Sequence, residues 1–458
     1  MGFGASVLKI AFEGSDKSKE ILGELLSPWD VSFCGLDEAD IAFVYKKRPV
    51  ENKKSIIIPS SDDLKIYTYN NKLKITTDSH TAIQVPLGEQ TSLTVIPQFV
   101  ISQALSANNR VNSDGWITSG SDNLLLATDV IQEFNNIFND CINAKPSKAY
   151  SLLTRSPLHY SIAPKALKNI VMRQKNGSLI DQSSCAFFSI DALRLLIVRA
   201  IEELTKKKPE LKASNKKKTT LIITHDIDSS EGLKKAIALK KIEEKYNLPS
   251  AWYLPSNHYP LDLEIIKELA NFGEIGAHDT KHDGKLIFAS KAEATQRVLE
   301  AKERLENTTG QQISGFRAPL LQHNPTILQA IKAAGYIYDS SVPAWEPKHP
   351  CTMKPHGIGT TFMFQAEGLV ELPITLPQDH QMLTVLNLTL SQTVESWFRL
   401  VDLIKDIGGL CVLLVHPDYQ FAHLENGSYE EILSKLSSDN EIEADLPSSL
   451  IEKRTIGT

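Results

Sequence analysis

From Thr219 onward, short apolar runs alternate with segments that carry helix start and stop signals, and this alternation constrains the fold more than any other feature. Thr220–Thr224 reads as an apolar strand. Asp262 caps a helix that ends at Gly273, and Glu274–Ala277 follows as a strand. Ser290 and Glu293 form a capping box, behind which Ala294, Val298, Ala301 and Leu305 fall on one helical face, up to a stop near Gly310. Asn324-Pro325 starts a further helix that ends at Gly335, and Tyr336–Tyr338 follows as a strand. Thr393–Ile407 is a helix, broken by Gly408-Gly409 before the apolar strand Leu410–Val415. Alternation of this kind predicts a parallel sheet, open or closed into a barrel, with reactive residues where strands end and loops begin.

At 458 residues the chain exceeds what one ordinary core holds, so two domains are expected. Its 42% hydrophobic and 23% charged residues supply apolar material for both and exclude a largely disordered chain. The boundary falls at Lys206–Thr220, a run with a proline and seven lysines that reads as a solvated linker, taken as 206–218. Before it, residues 1–205 read as a small α/β domain followed by helices. Val7–Phe12, Ile41–Tyr45 and Ser55–Ile58 are strand-like, and Lys65–Thr76 suggests a hairpin turning at Asn70-Asn71. Asp122–Asp140 and Ser189–Lys207 carry helical periodicity, the second with Leu193, Leu196, Ile197 and Ile201 on one face. Substrate binding, a partner contact and oligomerisation are equally open as roles for this region, and the oligomeric state is undefined.

A net charge of −6 argues against a nucleic-acid partner, and the lysine run, short and without interleaved aromatic residues, reads as a linker rather than as a nucleic-acid or anionic-membrane patch. Five widely spaced cysteines, none in a CxxC pair, argue against both a disulfide framework and a cysteine zinc site. No stretch reaches the roughly 18 apolar residues of a spanning helix, and no basic n-region precedes an apolar core, so a cytoplasmic protein is expected.

The predicted strands deliver polar residues at their C-terminal ends. They are Thr224-His225-Asp226-Ile227-Asp228, His278-Asp279-Thr280-Lys281-His282, Phe316-Arg317-Ala318-Pro319, Asp339, and Leu414-Val415-His416-Pro417. Packing gives an apolar strand no reason to end so, whereas a shared pocket does. Two imidazoles and one carboxylate suit zinc or a similar divalent ion, with positions left for water and substrate. Beside such an ion a carboxylate can take a proton, a histidine can protonate a leaving nitrogen, and an arginine can orient the base. A backbone N–H can stabilise the oxyanion.

In order, these five segments resemble the motifs of the polysaccharide deacetylases, carbohydrate esterase family 4, over about Thr219 to His423. The resemblance implies an α/β fold in which 219–458 form a distorted (β/α)7-type barrel, preceded by the smaller N-terminal α/β domain. It implies hydrolysis of an N-acetyl group on an amino sugar, so an N-acetylated saccharide or glycoconjugate is the expected partner. It also implies a divalent metal, zinc first, with cobalt, nickel or manganese as alternatives. By the same resemblance Asp228, His278 and His282 are the metal ligands and Asp226 the base oriented by Arg317. Asp339 would pair with His416, the general acid. The backbone N–H of Leu320 would join the oxyanion hole, and Leu414 and Trp345 would line the pocket for the acetyl methyl.

The chain departs from the family's pattern at three places. Ile227 separates aspartates that are usually adjacent, Asp279 stands where Ser or Thr is usual, and Leu320 replaces an aromatic residue. These bear on substrate more than on reaction, since Asp279 can still support its loop and Leu320 acts through its backbone. A same-fold hydrolase of another linear or cyclic amide is one rival reading, and an inactive carbohydrate-binding protein is another. His225 is open as a substrate contact, an extra ligand or a packed residue. His258, His323 and His380 are open as substrate contacts or loop residues near the same face. Glu371-Leu372-Pro373 is either a pocket wall or a strand end with a proline turn.

Overall fold

The computed structural model describes residues 7–45, 50, 52–59, 73–76, 83–86, 92–95, 100–103, 116–119, 122–155, 188–212 and 219–456. The Asn70-Asn71 turn and most of the lysine-rich linker lie outside these residues. By their contacts, described residues up to Asn139 and 188–212 form one compact unit, and 140–155 with 219–456 form a second. The region expected as 1–205 thus contributes 140–155 to the C-terminal unit.

In the first unit Leu8–Glu13, Val31–Phe33, Ile41–Tyr45, Ser55–Ile58, Asn123–Leu126 and Trp116–Ser119 make one sheet. All neighbours are parallel except the Trp116–Ser119 edge. Ile41–Tyr45 and Ser55–Ile58 read as uninterrupted buried runs because a parallel strand is covered on both faces. The helix expected from Asp122 begins only at Val130. Its first residues form a strand, Asn123–Leu126, in which Leu124 and Leu125 pair with Ile56 and Ile57. Asp129 then starts the helix by accepting the Gln132 N–H. Ser189–Thr205 is helical as expected, with Leu193, Leu196, Ile197 and Ile201 all fully buried.

The second unit is built on the long strand Thr219–Asp226. One edge pairs with Leu410–Leu414; the other pairs first with Ile442–Ala444 and then with Ser250–Leu254. From there Glu274–Ala277, Gly315–Phe316, Tyr338–Asp339 and Leu369–Glu371 follow in parallel, with Phe364–Ala366 antiparallel at the edge. Between the sheet's two ends runs the irregular segment 372–376. Ile374 bridges Pro343, the Leu376 N–H donates to the Val412 carbonyl at 3.1 Å, and the Val412 N–H donates to Thr375 Oγ1 at 2.7 Å. Pro373 and Pro377 keep this segment from forming a full ladder, and the barrel is distorted here for that reason.

The expected helix caps form as read, although the helix behind Asp262 ends at Ala270, short of the Gly273 expected. Asp262 accepts from the Glu264 and Ile265 N–H groups, Ser290 and Glu293 close a capping box, and Gly310 ends its helix at φ 70°. The Leu390–Ile407 helix starts three residues earlier than expected, because Thr389 and Gln392 form a second capping box.

Inside the sheet, Tyr253 and Tyr338 share a hydrogen bond of 2.9 Å between hydroxyls, and Tyr338 also donates to Glu274 at 2.8 Å. Gly315 lets the Tyr338 ring lie against the neighbouring strand: a Cβ there would stand 2.1 Å from Tyr338 Cζ. Anchored by its hydroxyl, the ring has little room to yield. Gly315→Ala is expected to destabilise the protein by about 1–3 kcal/mol, read from its denaturant midpoint.

Candidate metal centre

All five chemistry-bearing strands open toward the same end of this sheet, so their terminal residues meet. Asp226 closes Thr219–Asp226, with Asp228 two residues on. His278 follows Glu274–Ala277, Arg317 follows Gly315–Phe316, and His416 lies just past Leu410–Leu414.

Asp228 Oδ1 lies 3.4 Å from His278 Nε2 and 3.4 Å from His282 Nε2, and these atoms can bind one ion together. The His278–His282 segment is a turn, not a helix, and it brings the two rings to 5.6 Å between centroids. Arg297 braces that turn: its Nε donates to Asp279 at 2.7 Å, and Nη2 donates to Asp283 and to the Lys281 carbonyl. Asp279 also accepts from the Thr280 N–H, supporting the loop as Ser or Thr would.

Two observations test whether this trio fits a cation. His278 Nδ1 faces the Arg317 carbonyl at 2.8 Å and must donate to it, which leaves Nε2 as the lone-pair nitrogen. Asp228 Oδ1 and His278 Nε2 are both buried without a hydrogen-bond partner, an arrangement a bound cation would satisfy. Burial alone would raise the Asp228 pKa, but His282 and His278 outweigh it and hold the carboxyl far below its usual range.

Asp226 Oδ2 stands 4.0 Å from His278 Nε2. Its other oxygen accepts from Arg317 Nη1 at 3.0 Å. The Arg317 guanidinium is fixed by further bonds to Thr224 Oγ1, the Ser340 carbonyl and Ser340 Oγ, and it lies 4.3 Å over the Tyr253 ring. So constrained, it can hold Asp226 in one orientation.

The carboxylate beside His416 is not the expected one. His416 Nδ1 faces Asp379 Oδ1 at 2.6 Å, and its backbone N–H donates to Asp379 Oδ2 at 3.0 Å. Burial pulls the imidazole down, but the carboxylates of Asp379, Asp228 and Asp226 outweigh it and hold His416 up at about 10. Asp339 instead accepts from Ser341 Oγ at 2.7 Å, and Ser341 Oγ accepts from the Ala318 N–H at 2.8 Å. The reason is register. Asp339 pairs with Glu371 on the adjacent parallel strand, so two buried carboxyls stand side by side. Burial, then the Asp339 charge, push Glu371 up. Asp339 therefore anchors the Ala318–Leu320 loop.

Leu320 is half-buried with a left-handed backbone, φ 58°. Leu414 is fully buried against Leu321 and Ile374, and Trp345 is half-buried. His225 is a packed residue: its ring nitrogens face the Val415 carbonyl and Glu243, each at 2.8 Å, and its ring stacks on Trp252. His258 is exposed with its ring 6.1 Å from His282. His380 lies 5.8 Å from the Tyr419 ring, which stacks on His416. His323 belongs to a different cluster, with Cys141 and His356.

A curled α/β sheet with its polar side chains gathered at the strands' C-terminal ends defines the class of fold. Residues 213–338 match the family model for polysaccharide deacetylase, and the C-terminal half of this chain carries a domain of that family. The matched stretch includes Asp226, Asp228, His278, His282 and Arg317 and ends before Asp339, Asp379 and His416. The chain is 28% identical over 105 residues to a peptidoglycan deacetylase of Helicobacter pylori, a match that spans 23% of this chain and 36% of that relative. Among solved structures, one from Mycobacterium smegmatis, provisionally assigned as a polysaccharide deacetylase, is 19% identical with a TM-score of 0.44. That alignment covers 54% of this chain and 94% of the other. A family 4 acetyl xylan esterase from Clostridium thermocellum, in complex with cobalt, is 14% identical with a TM-score of 0.34, covering 52% and 91%. Among the described residues no helix is long and apolar enough to cross a membrane.

Proposed function

We propose that the C-terminal unit is a metal-dependent N-deacetylase that removes the acetyl group from an N-acetylated amino sugar, in a saccharide or glycoconjugate. The observation that carries this reading is the meeting of Asp228, His278 and His282 around two buried, partnerless ligand atoms, with Asp226 alongside. Membership of a deacetylase family supports the reaction type.

Asp228, His278 and His282 would hold the ion, and the two-imidazole, one-carboxylate set favours zinc. An ion held there supplies Lewis acidity, which lowers the pKa of water from about 15.7 toward about 7 and polarises the amide carbonyl. Asp226 takes the proton from the attacking water, its free lone pairs turned to the site by Arg317. His416 delivers a proton to the departing amine nitrogen. The Leu320 N–H faces the developing oxyanion, and Leu414 and Trp345 close on the acetyl methyl. Asp339 keeps the Leu320 loop in place through Ser341 and Ala318.

The zinc-loaded protein is expected to release acetate from N-acetylglucosamine oligomers, and Asp228→Ala to lose that release together with the metal of this centre. His416→Ala is expected to lower turnover at unchanged metal content. A zinc-loaded wild type that releases no acetate would overturn the reading.

A further inference from the structure

We infer that Cys141, His323 and His356 form a second metal site, for a zinc-class divalent ion, apart from the Asp228 centre. Cys141 Sγ lies 3.6 Å from His356 Nε2 and 3.9 Å from His323 Nε2, and the two nitrogens are 2.9 Å apart. Tetrahedral zinc, with bonds of about 2.3 Å to sulfur and about 2.0–2.1 Å to nitrogen, separates S and N by about 3.6 Å and two N by about 3.4 Å. The observed triangle has nearly those edges. It is narrower between the imidazoles, which would part slightly around an ion.

The surrounding bonds prepare these atoms to be ligands. His323 Nδ1 donates to the Leu321 carbonyl at 2.8 Å, so its Nε2 carries the lone pair. The same carbonyl lies 3.0 Å from His349 Nε2 and accepts from it. His349 Nδ1 accepts from the Cys351 N–H at 3.2 Å. Both His349 nitrogens are thus committed, and that ring acts as a support beside the site. Cys141 and His323 are buried, while His356 is half-buried and gives the site a side toward solvent, where water can complete the coordination. On binding, the Cys141 thiol gives up its proton to solvent and the thiolate takes the metal.

The site would act as a clamp. Its ligands come from three separate stretches: the end of the Val130–Ile142 helix, the loop after Pro319–Leu321, and the loop that holds the Glu346–His356 bridge. Leu320 and Leu321, just before His323, both have left-handed backbones, at φ 58° and 52°. Side chains other than glycine hold such a pair only where the surroundings enforce it. One ion tying His323 to Cys141 and His356 supplies that enforcement. A hydrogen bond between the two Nε2 atoms, with no metal, is the competing arrangement.

Cobalt(II) separates the two. A thiolate bound to cobalt gives a charge-transfer band in the near ultraviolet, and the Asp228 trio contains no sulfur, so the band cannot come from that centre; Cys141→Ser then separates Cys141 from the other four cysteines. Full-length wild type, stripped with chelator and titrated with Co(II), is expected to develop this band to one equivalent per chain. Cys141→Ser is expected to abolish it and to lower bound metal by one equivalent. Asp228→Ala is expected to keep the band, so failure of the catalytic reading would leave this result standing. Wild type that shows no band at saturating Co(II), or Cys141→Ser that retains it, overturns the inference. The first of these needs no variant to fold.

Discussion

On the proposed mechanism Asp226→Asn is expected to keep the bound metal and to lose turnover by roughly 10²–10⁴-fold, the range of a positioned general base. The substitution changes one oxygen to an amide nitrogen and removes the proton acceptor without altering the side chain's shape. Metal content is expected to hold because Asp226 lies outside the trio that converges on Asp228 Oδ1. Folding is expected to survive as well. A buried arginine deprived of the carboxylate it is paired with is a costly defect. Here Arg317 keeps the Ser340 carbonyl, Ser340 Oγ, Thr224 Oγ1 and the face of Tyr253. Acetate release and zinc content measured on one preparation check both halves. Undiminished release removes Asp226 from the role of base, and loss of zinc makes it a ligand.

The part of this arrangement legible in the sequence is the part that regular structure delivers. A strand that ends in Asp, His or Arg announces its own residue, and Asp226, His278, Arg317 and His416 were found by that rule. Their mutual approach follows from parallel strands sharing one open end. Asp379 obeys the same rule but was hidden. It follows Ile374 and Leu376, which pair with Pro343 and with Val412 as strand residues do, yet Pro373 and Pro377 make the run read as turns. Asp339 also stands at a strand end, and it is the family resemblance that pairs it with His416. Only the register, which sets it against Glu371, turns it toward Ser341. Asn123–Leu126 lies inside the expected Asp122–Asp140 helix, although Thr128 and Asp129 interrupt the apolar run before the true helix begins at Val130. The Cys141 cluster had no local signature at all. Its partners lie 182 and 215 residues away, so only the folded chain brings them together.

Asp379→Asn is the change that separates the two carboxylates offered to His416. If the 2.6 Å contact to Asp379 holds the imidazolium, the variant moves the alkaline limb of kcat/KM down by about 1–3 pH units. Burial, which already disfavours the cation, then acts with less opposition, although Asp228 and Asp226 still favour it. The effect on stability has a definite sign. His416 is raised from 6.5 to about 10, so its contribution is complete below about 6.5 and is lost as pH rises through about 10. Wild type should therefore lose stability over that window in denaturant titrations, and Asp379→Asn should show a flatter profile from a lower starting value. Zinc content is expected to stay at the wild-type level. The matching variant, Asp339→Asn, leaves the limb where it is and acts instead on the Ala318–Leu320 loop through Ser341. Were the limb to move in Asp339→Asn and stay fixed in Asp379→Asn, the proton on His416 would be governed by the strand-end carboxylate after all, and Asp379 would be only a backbone anchor for the loop around His416.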